Sequence, residues 1–255
     1  MKKSLIALAL VGAFAAPAIA EEAAGPHSFS ANVALVSDYV FRGISQTQNR
    51  PAIQGGFDYS HSSGLYLGTW GSNVSWVQDT GMKTNNSLEL DVYGGYKGAV
   101  GPVSYDVGVL QYYYPGDVVA GVKNTNSTEV YVGVGFSIFT LKYSHAVSSN
   151  LFGWYNAAKT EKTRGSGYWD LSAAYDLGDG WGVSAHVGHQ TIKNLSAASY
   201  TDWKLGVTKD LGVGVLGLSY TDTNAKASCS AADPYCWNGK DVGKGRAILS
   251  FSKSF

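Results

Sequence analysis

The sequence predicts an all-β fold, namely a transmembrane antiparallel β-barrel of about 12 strands. Three observations predict it. Apolar and polar residues alternate with a period of two along most of the chain, and the connections between alternating segments are short and long in turn. No stretch after residue 20 has the roughly 20 apolar residues of a membrane-spanning helix. A content of 32 Gly, 17 Tyr and 7 Trp with only 2 Met is also typical of a β protein.

The beginning of the chain is typical of a cleavable secretory signal peptide. Two lysines precede an apolar run that is too short to cross a bilayer as a helix, and small residues suit cleavage after Ala20. We expect residues 1–20 to be the signal peptide and residues 21–255 to form one outer-membrane β-barrel domain, with a retained anchor as the alternative. Without the two lysines the mature chain has a slight acidic excess, which predicts no nucleic-acid partner.

Twelve alternating segments are the predicted strands. In residues 88–97, for example, Leu88 and Leu90 lie on one face and Glu89 and Asp91 on the other. Most segments have 9 to 12 residues, and a tilted strand that crosses the outer membrane needs about 9 to 11. The predicted strands are residues 29–42, 52–60, 64–72, 87–97, 103–114, 128–137, 139–148, 167–177, 181–191, 200–209, 213–221 and 244–255.

The lengths of the connections are the most specific signal. The links after the even-numbered predicted strands are tight, as at 61–63 and 178–180, whereas those after the odd-numbered strands include the long polar stretches 73–86, 149–166 and 222–243. A single-chain outer-membrane barrel has this asymmetry because its short turns face the periplasm and its long loops face outward. A soluble β-sandwich is the alternative, but nothing in its physics sorts connections in this way.

Aromatic residues of the expected lipid-facing parity gather near the strand ends, which predicts two girdles at the membrane interfaces. On the short-turn side they are Phe29, Tyr59, Tyr96, Tyr105, Phe136, Phe139, Tyr175, Trp181 and Phe255, and toward the long loops they are Tyr39, Phe41, Tyr113, Trp169, Trp203 and Tyr220.

The C-terminal strand ends on an aromatic residue, Phe255. Ala247, Leu249 and Phe251 share its parity, and a final amphipathic strand with a terminal aromatic residue resembles the assembly signal of outer-membrane barrels. We therefore expect the barrel assembly machinery to be a partner through this strand. Lys253 departs from the pattern, but near the chain end its amine can reach the headgroups.

Charged residues of the opposite parity are the pore-lining candidates. Asp38 and Arg42 are two inward steps apart on the first predicted strand, which predicts that they form an ion pair that fixes the loop; the alternative is that they contact solute. With Lys244 added, acidic residues outnumber basic ones, which predicts a weak cation preference; the alternative is that the charges pair across strands and cancel. The candidates are Asp38, Arg42, Glu89, Asp91, Glu129, Asp170, Asp202, Lys204 and Arg246.

The only two cysteines, Cys229 and Cys236, lie in a polar segment near the end of an exported chain. This arrangement predicts one disulfide rather than a metal site, because zinc needs four ligands. No cofactor is expected.

Residues 37–76, which read SDYVFRGISQTQNRPAIQGGFDYSHSSGLYLGTWGSNVSW, resemble the opening signature of the TorF family of porins, a proteobacterial outer-membrane family. The mature length and Phe255 fit that family as well. The resemblance implies an outer-membrane porin, and it implies neither catalytic residues nor a defined solute.

The function expected from these patterns is a porin-like channel for passive diffusion of small solutes or ions in the bacterial outer membrane. Its partners would be outer-membrane lipid and lipopolysaccharide, and small solutes. Small inward residues favour an open lumen, although a folded loop could plug it. One alternative is a non-conducting barrel for adhesion or envelope integrity. Another is a barrel-embedded hydrolase using His186, the only histidine with clear lumen parity.

Overall fold

The computed structural model describes residues 25–155 and 161–255 of the chain, in which twelve antiparallel strands form a closed barrel. Each barrel strand pairs with the barrel strands before and after it in the sequence, and the first pairs with the last to close the ring. The predicted signal peptide lies outside the described residues and stays a prediction. The barrel strands are β1 (His27–Val36), β4 (Ala52–His61), β5 (Leu65–Asn73), β6 (Leu88–Val100), β7 (Val103–Tyr113), β8 (Ser127–Phe136), β9 (Phe139–Ala146), β10 (Gly167–Gly178), β11 (Trp181–Thr191), β12 (Tyr200–Asp210), β13 (Val215–Thr223) and β16 (Arg246–Ser254).

The barrel has one apolar outer face. Large hydrophobic side chains that point outward are exposed, among them Phe57 with 69% of its surface exposed, whereas their inward neighbours Gln54 and Asp58 are polar. Within the described ranges no helix is long and apolar enough to cross a membrane. Because an exposed apolar band of this kind is stable only against lipid, the strands are the membrane-spanning elements.

The connections alternate in length, as the sequence predicts. Short turns join the strand pairs at one end, for example between Val100 and Val103 and between Phe136 and Phe139, and this is the periplasmic end. The other end is the outer end, and its six connections are loop 1 (37–51), loop 2 (74–87), loop 3 (114–126), loop 4 (147–166), loop 5 (192–199) and loop 6 (224–245).

The outer loops contain the remaining regular elements. Loop 1 holds the hairpin strands β2 (Val40–Phe41) and β3 (Ile44–Ser45), and loop 2 holds the short helix α1 (Trp76–Asp79). Loops 4 and 5 each contain one turn of 3₁₀ helix, Leu151–Gly153 and Ser196–Ala198. Loop 6 contains β14 (Cys236–Trp237) and β15 (Lys240–Asp241), and the Cys229–Cys236 disulfide lies in the same loop.

The buried apolar core lies at the outer end of the barrel, where side chains from the loops pack together. Tyr39 and Phe41 belong to this packing: Tyr39 is buried against Trp70, and the Phe41 ring contacts Tyr112. Their assignment to the lipid-facing girdle is therefore wrong. Both residues have the parity of the lipid-facing positions on the first predicted strand. They lie beyond the end of β1, however, and point into the barrel.

The predicted strand bounds agree with the structure to within three residues except at the end of the first strand, which is Val36 instead of residue 42. Asp38 is the reason for the early end, since its buried carboxylate accepts hydrogen bonds from the hydroxyls of Ser45 and Thr47 farther along the same loop. These contacts turn the chain back on itself, and loop 1 enters the lumen.

Candidate functional site

Loop 1 reaches the lumen wall through a tight turn at Arg42 and Gly43. Both residues have positive φ, 49° and 78°, which is the combination of a type I′ hairpin turn between β2 and β3. Glycine suits the second position for a further reason. A Cβ atom there would lie 2.6 Å from Cβ of Asp202 on β12, so the turn fits against the wall only without a side chain.

The Arg42 guanidinium is held in place by the opposite side of the lumen. It forms a two-pronged ion pair with Glu129 on β8, at 3.0 Å and 2.7 Å, and also donates to Oε1 of Gln190 on β11 at 2.8 Å. It stacks on the Tyr168 ring with 4.3 Å between its carbon and the ring centroid. The side chains of Arg42 and Glu129 are only 8% and 1% exposed, so this pair is dry. A bidentate pair of this kind fixes position as well as charge.

Asp38 pairs with Arg246 on β16, with 2.9 Å between Oδ2 and Nη1. The prediction that Asp38 and Arg42 pair with each other is therefore wrong. It assumed that both lie on one strand, whereas β1 ends at Val36 and the hairpin carries Arg42 away toward β8. The two residues fix loop 1 at opposite sides of the lumen.

His186 on β11 bridges two carboxylates. Its Nδ1 lies 2.9 Å from Oδ2 of Asp170 on β10, and its Nε2 lies 2.7 Å from Oδ2 of Asp202 on β12. The hydroxyl of Tyr168 also donates to Asp202, at 2.9 Å. Both ring nitrogens face acceptors, an arrangement that the doubly protonated imidazolium satisfies. This geometry does not provide the free ring nitrogen that a general base needs.

Glu89 and Asp91 occupy successive inward positions on β6 and are both buried. The Tyr39 hydroxyl of loop 1 donates to Oε1 of Glu89 at 3.5 Å. The second oxygen of Glu89 and Oδ1 of Asp91 have no hydrogen-bond partner among the described residues. Across the same ranges no group of three or more acidic, His or Cys side chains suits a metal ion. Neither carboxylate is part of an ion pair in the described part of the chain.

The structure thus brings most pore-lining candidates together in the outer half of the lumen. Lys204 points inward on β12 and lies opposite His186 in the register. Lys244 is exposed in loop 6, so counting it among the lumen charges is wrong.

Sequence reasoning missed Gln190 and Tyr168 as partners of Arg42, although both have lumen parity on β11 and β10. A search for polar side chains at inward strand ends would have found them.

The periplasmic half of the lumen is built differently. The hydroxyls of Tyr66 and Tyr93 donate to carboxylates of the wall, at 2.7 Å to Asp106 and 2.6 Å to Asp58. All four side chains are half-buried, so they face an accessible space rather than packed protein. The outer half is more covered, since side chains such as Glu129 and Asp202 are buried there, so an open lumen stays a prediction for the periplasmic half.

A closed twelve-stranded barrel with a lipid-facing apolar band and a polar interior defines the class: the protein is a bacterial outer-membrane β-barrel with a porin-type fold. Its fold is similar to that of the KdgM porin, with a TM-score of 0.53 at 6% identity over 89% of this chain and 98% of that one. It is also similar to the NanC porin, with a TM-score of 0.52 at 9% identity over 88% and 98%.

The chain belongs to the family described as "Bacterial protein of unknown function (Gcw_chp)", whose model matches residues 20–255. No curated protein matches it in sequence. The name TorF, to which residues 37–76 point, is not confirmed by these comparisons.

Proposed function

We propose that the protein is a porin-like channel for passive diffusion of small solutes or ions across the outer membrane, and that loop 1 is its constriction. The observation that carries this proposal is the polar lining of the lumen. Its wall is lined with polar and ionisable side chains at both ends, and loop 1 enters the outer half, where polar contacts hold it.

The size of the barrel supports a channel. Twelve strands about 4.8 Å apart and tilted by about 40° enclose a backbone radius of about 12 Å, of which side chains remove about half. A passage of roughly a nanometre would remain without loop 1. The similarity in fold to two porins agrees with this function, while the solute is left open.

Conductance across a planar bilayer tests the proposal. In the variant, a short Gly-Ser linker replaces residues 38–50, which is feasible because Val36 and Ala52 are directly opposite each other in the register. We expect small conductance from the wild type and a several-fold larger value from this variant. The same linker placed at 119–123 of loop 3 should leave conductance unchanged. If the wild type does not conduct, the proposal is wrong, whether or not the loop 1 variant conducts.

The second candidate is a non-conducting barrel that serves adhesion or envelope integrity. The filled outer half favours it, because a permanently docked loop 1 would block diffusion. The wild type in the same bilayer measurement separates the two candidates, since a channel conducts with loop 1 in place, whereas a barrel blocked by loop 1 conducts only after the loop is shortened. The hydrolase alternative gains no support, because both ring nitrogens of His186 face carboxylates.

We also retain the assembly machinery and lipopolysaccharide as proposed partners. Phe255 is 69% exposed, and its backbone pairs with Ala31 of β1 where the barrel closes. An exposed terminal ring at the closing strand is available to a folding factor. Phe255→Ser should lower the amount of folded barrel in the outer membrane, whereas Phe136→Ser at another periplasmic strand end should not. Equal amounts of both variants would refute the assembly role.

A further inference from the structure

A basic cleft lies at the outer end of the barrel, between the end of loop 4 and the start of loop 5. It holds about 620 Å³ of accessible space, which is within the usual range for sites of small ligands. Among the described residues that line it, three are cations, Lys162, Arg164 and Lys193, and one is a carboxylate, Glu161. The cleft therefore carries net positive charge.

The cleft lies on the outer surface of the barrel rather than in the lumen. His145, which lines it, alternates with the buried Ser144 and Ala146 at the end of β9 and so has the parity of the lipid-facing residues. Lys193 is exposed two positions beyond Thr191, the last outward residue of β11. The cleft is thus continuous with the surface that contacts lipid.

Aromatic side chains adjoin the cleft on its periplasmic side. Nδ1 of His145 lies 3.2 Å from the hydroxyl oxygen of Tyr143, and 4.5 Å separates the ring centroids of Tyr143 and Trp169. Trp169 is exposed on the lipid face, as expected for a residue of the outer girdle. Because aromatic girdles mark the boundary between the apolar band and the headgroups, the cleft lies at the depth of the outer-leaflet headgroups.

The cations of the cleft are available to a ligand. Lys162, Arg164 and Lys193 are exposed, and within the described ranges none of them takes part in an ion pair. Arg42 and Arg246 of the lumen, by contrast, are both paired. Like charges around one cleft repel one another, and an anion placed among them offsets that repulsion. The cleft therefore suits a group with several negative oxygens, such as a phosphate.

Hydrogen bonds between loops 4 and 5 hold the cleft in shape. The backbone N–H of Lys193 donates to the hydroxyl of Ser166 at 3.0 Å, and the side-chain amide of Asn194 donates to the carbonyl of Lys162 at 3.0 Å. The Lys193 stem packs over Gly165, where a Cβ atom would lie 3.3 Å from its Cδ. A preformed surface of this kind lowers the entropic cost of binding.

We propose that this cleft binds a phosphate of lipid A, the membrane anchor of lipopolysaccharide. The phosphate would contact Lys162, Arg164 and Lys193, with the Arg164 guanidinium able to donate two parallel hydrogen bonds to it, while the acyl chains would lie along the apolar band beside Trp169. The inference rests on the proposed partnership with lipopolysaccharide and assigns it a site. It does not depend on the channel, because lipid binding is measured without conductance.

Native mass spectrometry of the full-length barrel in detergent at low ionic strength tests the inference, because it resolves the protein with and without bound lipid. The probes are phosphorylated lipid A and dephosphorylated lipid A, which has the same acyl chains. Three cations at about fivefold each predict that the phosphorylated form binds about a hundredfold more tightly. Millimolar inorganic phosphate should not displace it, because free phosphate lacks the acyl chains that contact the apolar band.

The test variant neutralises the cleft through three substitutions, Lys162→Gln, Arg164→Gln and Lys193→Gln. It should lose about a hundredfold in affinity for phosphorylated lipid A, and its unchanged binding of dephosphorylated lipid A would show that the barrel is folded. The control removes three exposed lysines from loops 3 and 6 and should bind both lipids as the wild type does. Its substitutions are Lys123→Gln, Lys240→Gln and Lys244→Gln.

Three results would overturn the inference. They are equal affinity of the wild type for the two lipids, equal affinity of the two variants for phosphorylated lipid A, and displacement of that lipid by millimolar inorganic phosphate, which would indicate a site for free anions. A barrel that binds phosphorylated lipid A as predicted but never conducts would refute the channel alone.

Discussion

The two halves of the lumen have the same wall but different environments. In the outer half, carboxylates such as Glu129 and Asp202 are buried and paired with Arg42 and His186. In the periplasmic half, Asp58 and Asp106 are half-buried and accept hydrogen bonds from tyrosines. The difference arises at the outer end, where loop 1 enters the lumen and residues of the other outer loops pack with it. A charge in the outer half is therefore strongly coupled to the loop, and one in the periplasmic half is not.

The largest expected effect is at Arg42. Arg42→Ala leaves Glu129 buried without its cation, which costs roughly 3–5 kcal/mol for a buried pair, and release of loop 1 removes that cost. We expect a several-fold rise in single-channel conductance or open probability. Asp106→Asn in the periplasmic half should change conductance little, because its surroundings are hydrated.

Arg50→Ala is the control within the same loop, since the Arg50 side chain is exposed and donates to the carbonyl of Thr47 in loop 1 itself. If Arg50→Ala or Asp106→Asn raised conductance as much as Arg42→Ala, the contrast between the two halves would be lost.

A smaller effect is expected from Gly43→Ala. The new methyl group would meet Asp202 on β12, and the positive φ of 78° adds strain of about 1 kcal/mol or more. Gly81→Ala in loop 2 is a matched control, because its φ is 69° and nothing lies within 4 Å of the added atom. We expect higher conductance from Gly43→Ala than from Gly81→Ala. Equal values would mean that the turn does not need to fit against β12.

The smallest effect is expected on ion selectivity. The structure pairs Asp38, Glu129, Asp170 and Asp202 with Arg or His side chains, so most of the predicted acidic excess is compensated. Glu89 and Asp91 are the exception. The double variant Glu89→Gln, Asp91→Asn should shift the reversal potential in a KCl gradient toward anions, and the shift should fade at high salt as screening grows.

Asp58→Asn in the periplasmic half provides the comparison and should give a smaller shift. An anion-selective wild type, or a double variant with an unchanged reversal potential, would contradict a role of these two carboxylates in selectivity.

The sequence predicts the barrel well because strand parity is a local property. The alternation of apolar and polar residues from Leu88 to Asp91 indicates which face of the strand contacts lipid, and this inference needs no information from other segments of the chain. Loop 1 shows the limit. Residues 37–42 also alternate, yet they leave the wall because Asp38 bonds to Ser45 and Arg246, and the latter is 208 positions away in the sequence. Pairing between distant segments of this kind leaves no periodic signal.

The candidate site follows the same division. Parity correctly orients Glu89, Asp91, Glu129, Asp170, Asp202, Lys204 and Arg246 into the lumen, because all seven lie on strands. Parity does not predict which of these residues pair with each other, since Arg42 reaches Glu129 only through the hairpin turn at Gly43. Their role as pore-lining residues stays a prediction.

The most direct test of the central claim, that loop 1 closes the outer half while the periplasmic half is accessible, is thiol labelling inside the lumen. The described residues contain no free cysteine, so an engineered one reports alone. Ser184→Cys places it in the periplasmic half, where Ser184 points inward two positions from His186. A membrane-impermeant thiol reagent should label it quickly from the periplasmic side and slowly from outside. Adding Arg42→Ala should make labelling from outside fast. Fast labelling from outside with Arg42 in place would contradict the account.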